Sequence, residues 1–315
     1  MPVEMPTPSN PMRIGTRGSR LALVQAQMVR DKLGRELDVE NSAFEILPIR
    51  TTGDKILGKP LREVGGKGLF CREIEECLLA GRVDIAVHSM KDMPVEQPAG
   101  LVIDCTLPRD DPRDALVTVC SKRVVDLPDG TIVGTSSVRR KAQVLRANPR
   151  VRVEDIRGNL ETRLAKLNNG LVQATLLAMA GLARAENKPE FAHAVSLDEM
   201  LPAAAQGIIC VERRSVDLRA AAMLETINDE EASIASVAER TFLALLDGYC
   251  EMPIGAYAAL TNEGLLLRGE VLRPDGADWT AGCIAGSRDD AALLGQELAD
   301  SLLRSNGEGF FSSFR

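Results

Sequence analysis

Histidine and aromatic residues are scarce in this chain: two histidines, His88 and His193, one tryptophan, Trp279, and two tyrosines stand among 315 residues. With no CxxC pair and no HExxH, the ligand spacings of a structural or catalytic zinc site are missing. So few rings give single-stranded nucleic acid no stacking platform, and a net charge of −7 argues against general nucleic-acid binding. No apolar run approaches the ~18 residues that mark a membrane span. The seven cysteines are odd in number and irregularly spaced, which does not make a disulfide framework. The opening MPVEMPTPSNP has neither the apolar core of a secretory signal nor the Arg-rich pattern of a transit peptide, so a reducing, cytoplasmic setting is expected. Nucleotide loops are absent too: GTRGS lacks GxGxxG spacing, and GGKG is followed by Leu69, not by the Ser or Thr of a Walker A loop.

What is present fits a globular protein of two or three domains, with 45% hydrophobic and 26% charged residues. A strand ending at Gly15 and Thr16 leads through a turn into a helix from about Ser19, with Leu21, Val24 and Met28 as its expected inward face. The plan repeats in GTIVGTSSVRRKAQVLRANP. There a strand over 131–133 leads to Gly134 and Thr135, and Ser136 or Ser137 caps a helix on which Val138, Ala142 and Leu145 share a face. The echo continues downstream of each, with a Gly-containing turn, a helix and a strand over 83–88 in the first copy and 172–178 in the second. Two related α/β lobes facing each other across a cleft are expected, with mainly parallel or mixed sheets whose sites collect at the strand C-termini. From about Ile227 the pattern changes. A helix with Ile234, Val237, Phe242 and Leu245 as core candidates precedes strands over 256–260, 265–272 and 280–285 and a helix over 290–304, a small α+β arrangement.

The strand running into HSMKDMP should deliver Ser89, Lys91 and Asp92 at its C-terminal end, just before Pro94. Arg17, Ser19, Lys67, Thr135, Ser137, Arg139, Arg140, Arg157 and Arg163 lie at comparable strand ends or helix starts. So many cations in an acidic protein call for an anionic ligand, a polycarboxylate or a phosphate. Arginine binds carboxylates bidentately, and helix N-termini add oriented N–H donors. Taken singly, each has a plainer reading: Lys91 and Asp92 as a solvated turn, Arg140, Arg146 and Arg163 as helix surface. Cys250 in DGYCEMPIGAY is expected on a loop between Gly and Pro, and composition alone makes it an inert thiol.

IGTRGSRLALVQAQ, GGKGLF, DIAVHSMKDMP, DPRDALV, GTSSVRRKAQ, IRGNLETRLAKL, LPAAAQG and DGYCEMPIG stand in this order over nearly the whole chain. In these segments the chain resembles the porphobilinogen deaminase (hydroxymethylbilane synthase) family. The resemblance implies an α/β chain with two lobes like those of type II periplasmic binding proteins and a small C-terminal α+β domain. Their bounds would be 1–107 with 208–225, 108–207 and 226–315. It implies a transferase that condenses four porphobilinogen molecules to hydroxymethylbilane, releases four ammonia, and passes the product to uroporphyrinogen-III synthase. A dipyrromethane cofactor, one per chain, would be held by a thioether to Cys250. Asp92 would be the catalytic carboxylate. Ser89, Lys91, Thr135, Ser137, Arg139, Arg140 and Gly158 would hold the cofactor. Arg17, Ser19, Lys67, Arg157, Arg163, Arg184 and Gln206 would bind substrate. The resemblance also implies a cytoplasmic monomer with no metal. Glu63 and Tyr249 depart from the family pattern, the first where some members are basic and the second where a small Gly is common.

Two other classes compete with that reading. A non-catalytic binding module would explain the repeat and the arginines but not the cysteine loop or the third domain. A cysteine-nucleophile hydrolase lacks a histidine partner, because His88 lies along an expected strand and His193 in a poorly patterned stretch.

Overall fold

The computed structural model describes residues 4–55, 68, 70–185, 189–246 and 253–312; Glu63, Lys67, Tyr249 and Cys250 lie outside them. The chain divides into two compact units, Met1–Arg109 with Ile208–Ser233 and Asp110–Gly207 with Ile234–Arg315.

The first unit opens with β1 (Met12–Arg17), α1 (Arg20–Glu36), β2 (Phe44–Ile49) and the single turn α2 (Thr52–Lys55). Then come α3 (Arg72–Leu79), β3 (Ile85–Ser89), a 3-10 turn at Met90–Asp92, and β4 (Leu101–Thr106). The second unit contributes β5 (Asp114–Val117), β6 (Ile132–Gly134), α4 (Val138–Ala147), β7 (Arg152–Glu154) and α5 (Leu160–Asn168). It continues with β8 (Ala174–Ala178), α6 (Met179–Ala183) and β9 (Ala192–Ala194). The chain re-enters the first unit with β10 (Ile209–Arg214) and α7 (Leu218–Glu225). It ends with α8 (Glu230–Leu246), β11 (Ile254–Thr261), β12 (Gly264–Leu272), β13 (Trp279–Gly286) and α9 (Ala291–Ser312).

The two larger sheets share one plan, ordered β2-β1-β3-β10-β4 and β7-β6-β8-β5-β9. In each, the second strand is parallel to its neighbours on both sides, and the fourth runs antiparallel to both of its own. The repeat read from the sequence is therefore a repeat of topology. The chain is α/β, with two mixed five-stranded sheets of the same order and a smaller antiparallel sheet, β11-β12-β13, carried with helices at the C-terminal end.

The helices begin where the sequence supplies caps. The Ser19 hydroxyl accepts from the Ala22 amide at 3.4 Å, the Ser137 hydroxyl from the Arg140 amide at 3.4 Å, and the Asn159 side chain from the Thr162 amide at 2.9 Å. Which face turns inward differs from the sequence expectation. In α1 the buried stripe is Ala22, Gln25, Ala26, Val29 and Leu33, while Met28 is exposed. In α4 only Ala142 of the expected trio is buried; Val138 is exposed, and Arg139, Arg140, Gln143 and Val144 turn inward. In α8, Phe242 is fully buried, but Val237 and Leu245 are exposed, and Ala235, Ala238 and Leu246 take the inner positions.

The C-terminal sheet packs Ala256, Leu267 and Val271 against Phe242 of α8 and Leu298 and Leu302 of α9. It is tied to the second lobe's elements by side chains. Arg146 of α4 meets Glu270 of β12 at 2.6 Å. The buried Glu239 carboxylate accepts from the Ala205 amide at 2.5 Å and the Ala258 amide at 2.6 Å. Gly276, in the left-handed region at φ 71°, lies so close to α4 that a Cβ would fall 2.4 Å from the Ala142 carbonyl oxygen. Among the described residues no helix is long and apolar enough to cross a membrane. A Cβ on Gly269 would lie 2.5 Å from the Phe242 ring. Gly269→Ala is therefore expected to lower the unfolding free energy by about 1–3 kcal/mol through overpacking, checked by urea denaturation.

Candidate active site

Strand β3 ends against a cavity of about 60 Å³ whose lining includes Arg17, Ser19, Gln25, Phe70, Cys71, His88, Ser89 and Asp92. Three local features converge there. Strand β1 ends at Arg17, α1 begins at its Ser19 cap, and the 3-10 turn after β3 leaves Asp92 exposed between buried Met90 and Met93. The cavity thus combines a carboxylate, a guanidinium and a helix start. Ser89 is held from α1: its hydroxyl lies 2.8 Å from the side-chain amide nitrogen of buried Gln25 and 3.2 Å from the amide oxygen. Lys91 stands on the same turn as Asp92 but is not among the lining residues.

Arg17 is the best-anchored cation of this cavity. Its NH2 group meets Asp54 at 2.5 Å, and its guanidinium lies 4.2 Å from the Phe70 ring centroid. Burial pushes the Asp54 carboxyl up, but hydrogen bonds from Arg17 and Thr51 outweigh it and hold the group below its ordinary value. Arg17 Nε is buried and meets no acceptor among the described residues.

In the second unit, Thr135 and Ser137 follow β6 as expected, and the Thr135 hydroxyl accepts from the Ser137 amide at 3.2 Å. The next two arginines turn inward onto Asp114, the first residue of β5. Arg139 NH1 lies 2.7 Å from Asp114 Oδ2, while Arg140 Nε and NH2 lie 3.0 and 2.7 Å from Oδ1. Gln206 donates to the same Oδ1 at 3.1 Å and to the Pro112 carbonyl at 2.7 Å. Two guanidinium groups thus share one buried carboxylate. Gly158, at φ 115°, shapes the turn into α5: a Cβ there would lie 2.5 Å from Thr162 Cβ. Its carbonyl accepts from Arg163 Nε at 2.9 Å, and the Arg157 carbonyl accepts from Lys166 at 3.0 Å. Arg184 pairs with Asp110 and donates to the Gly207 carbonyl at 3.2 Å, and its buried Nε meets no acceptor among the described residues.

The structure thus gathers Arg17, Ser19, Ser89 and Asp92 at one cavity of the first unit, and in the second sets Arg139, Arg140 and Gln206 around Asp114, with Thr135 and Ser137 at the capped start of α4. Arg157 and Gly158 belong to the turn before α5 and Arg163 to its first turn, and Lys67 and Cys250 fall outside the described residues. Sequence reasoning missed Gln25, Asp54, Phe70 and Asp114. Asp114 carried a signal, as an acidic residue opening the apolar run DALV.

Comparison with known proteins identifies the family. The model of "Porphobilinogen deaminase, dipyromethane cofactor binding domain" matches residues 12–222, and that of "Porphobilinogen deaminase, C-terminal domain" matches 233–304. The chain belongs to the porphobilinogen deaminase family. It is 52% identical over 299 residues to the porphobilinogen deaminase of Paracoccus denitrificans, covering 95% of this chain and 96% of that one. It is 47% identical over 309 residues to the chloroplastic enzyme of Pisum sativum, covering 96% and 84%. Among solved structures, the periplasmic VFT2 domain of Bordetella pertussis BvgS is similar at TM-score 0.40 and 14% identity, covering 69% of this chain and 86% of that one.

As a porphobilinogen deaminase, the chain is a transferase, a hydroxymethylbilane synthase, acting on porphobilinogen with a dipyrromethane cofactor. The donor set fits a group bearing several carboxylates. In the first unit the Arg17 guanidinium Nε is buried without an acceptor among the described residues, and in the second unit the same holds for Arg184 Nε.

Burial pushes Asp114 up, but the charges of Arg139 and Arg140 overcome it and hold the group far below its ordinary value of 3.8. A depressed folded-state value means the contribution to stability is complete above 3.8 and is lost as pH falls through the lower value. Asp114→Asn is expected to cost about 3–5 kcal/mol at pH 7, because it breaks a buried ion cluster. It should also flatten the fall in stability below pH ~4, both read from urea denaturation across pH.

Proposed function

We propose that Asp92 is the catalytic carboxylate of this porphobilinogen deaminase and that Cys250 is the residue to which the cofactor is attached by a thioether. The observation that carries the first role is the exposed Asp92 carboxylate at the C-terminal end of β3, on one cavity with Arg17, Ser19 and Ser89. There Asp92 accepts a hydrogen bond from the substrate's pyrrole N–H and stabilises the positive charge that develops as ammonia leaves. Arg17 and Ser19 bind substrate carboxylates, with Lys67, Arg157, Arg163, Arg184 and Gln206 in the same role. Arg17 already holds Asp54 through its NH2 group, and its Nε meets no acceptor among the described residues.

Ser89, Lys91, Thr135, Ser137, Arg139, Arg140 and Gly158 hold the cofactor, Thr135 and Ser137 through hydroxyls and Gly158 by shaping its turn. When bound, the cofactor supplies the electron-rich pyrrole carbon to which porphobilinogen is joined. Three sheets support a division into domains of 1–107 with 208–225, 108–207 and 226–315. We further infer a cytoplasmic monomer that hands hydroxymethylbilane to uroporphyrinogen-III synthase.

The test of attachment is the intact mass of the purified protein. An excess matching two pyrrole units is expected, and it should vanish in Cys250→Ala; persistence of the excess in that variant would refute the assignment. Asp92→Ala should fold, keep the excess mass and lose about 100-fold or more in kcat, the scale of an electrostatic or acid–base contribution. Full turnover in that variant would remove Asp92 from its role.

A further inference from the structure

Four buried polar atoms that meet no hydrogen-bond partner among the described residues belong to one small group in the first unit: His88 Nε2, both carboxylate oxygens of Glu212, and Glu75 Oε1. The group lies at the cavity described above, because His88 and Cys71 are among the lining residues. Its arrangement follows from strand register. His88 of β3 is opposite Cys210 of β10, and Glu212 is two residues along β10 on the same face. Ala86, on that face, packs with Ile74, Cys77 and Leu78 of α3, so the group occupies the layer between sheet and helix.

His88 Nε2 lies 3.4 Å from Glu212 Oε2, with side chains only 5% and 0% exposed. That distance is within ion-pair range but outside hydrogen-bond geometry, a looseness common to acid–base pairs before substrate tightens them. The groups facing His88 are Glu212 from β10, Glu75 and the Cys71 thiol from α3 and its cap, and Arg17 and Asp92 on the cavity. Burial pushes Glu75 up, against a hydrogen bond from Cys71, and the nearby charge of Glu212 adds to the rise. Among the described residues no three His, Cys, Asp or Glu side chains are placed to hold a metal ion. A buried carboxylate aimed at one ring nitrogen of a cavity-lining imidazole is instead the arrangement that fixes a tautomer.

We propose that Glu212 is a positioning residue that holds His88 with its proton on Nε2, so that Nδ1 accepts a hydrogen bond from the ammonium group of porphobilinogen. The cavity is then bipolar. Arg17 and the start of α1 receive the substrate's carboxylates, while Asp92, His88 and the carboxylate behind it receive its cationic end. This rests on the reading that the Asp92 cavity is the catalytic site.

Since the chain has two histidines, His88 and His193, ring tautomers can be read directly. In the 15N-histidine-labelled holoenzyme, long-range 1H–15N spectra should show one ring, absent from His88→Gln, with Nε2 protonated and Nδ1 bare. The opposite tautomer would overturn the proposal. Glu212→Gln removes the fixing charge, and His88→Gln keeps a donor toward Glu212 but removes Nδ1. Each should raise KM for porphobilinogen about tenfold, the loss expected of one hydrogen bond to a charged group. Neither should change the inhibition constant of the analogue carrying methyl in place of aminomethyl.

Equal weakening of both ligands would mean a merely structural role and would sink the idea. If Glu212→Gln does not fold, His88→Gln carries the same comparison. Asp92→Ala, run in parallel, separates the two readings. An active Asp92→Ala removes the site assignment, whereas an inactive one beside variants that do not discriminate the two ligands removes only the role of His88 and Glu212.

Discussion

A carboxylate sealed away from water must be matched by cations or donors, and in this chain that requirement falls on the antiparallel strand of each large sheet. Asp114 opens β5 with no exposed side-chain surface, and Arg139, Arg140 and Gln206 surround it. Three segments distant in sequence are thereby fixed to one point: the start of β5, the first turn of α4, and the loop around Gln206. Left unmatched, such a carboxylate costs several kcal/mol. The same contacts orient Thr135 and Ser137, because α4 can present its capped start only where its first-turn arginines reach Asp114. Stability and site geometry rest on one cluster.

The first unit solves the matching problem differently. Its antiparallel strand β10 carries Glu212, whose nearest counterpart is an imidazole and not a guanidinium. Arginine is used instead on the cavity side, where Arg17 is shared between Asp54 and the Phe70 face. In an acidic chain of net charge −7, site cations such as Arg17, Arg139, Arg140 and Arg184 each stand beside a carboxylate. The consequence is partial neutralisation: a ligand carboxylate reaching Arg17 meets a cation already paired through NH2 with Asp54, so the gain per contact is smaller than for an unpaired guanidinium.

How much of this was legible in the sequence depends on whether the signal was local. The repeated strand, turn and capped helix showed in GTRGS and GTSS because caps and glycines act within a few residues, and Ser19 and Ser137 do cap their helices. The end of β3 was legible for the same reason. Faces of helices were not: Leu21, Val24 and Met28 look like an apolar stripe, but the face set against the sheet is the neighbouring one of Ala22, Ala26, Val29 and Leu33. Arg139 read as a ligand contact, and Arg140 as a ligand contact or helix surface, because nothing nearby in sequence announces Asp114, 25 and 26 residues away. The link between His88 and Glu212 was hidden for the same reason, since β10 returns to the sheet only after the entire second lobe.

Sheets of equal topology need not do equal work, and here the difference lies in the segment leaving the third strand. After β3 the chain makes a 3-10 turn through Met90, Lys91 and Asp92 before Pro94, which leaves a carboxylate standing at the strand end with its backbone held between two buried methionines. After β8 the chain passes straight into α6 through Ala178, Met179 and Ala180, with no ionisable group until Arg184. A strand end that turns can aim a reactive side chain at a cavity. One that continues into a helix offers backbone amides and packing instead. The duplicated plan therefore differs by one short turn, which leaves an exposed carboxylate at the end of β3 and none at the end of β8.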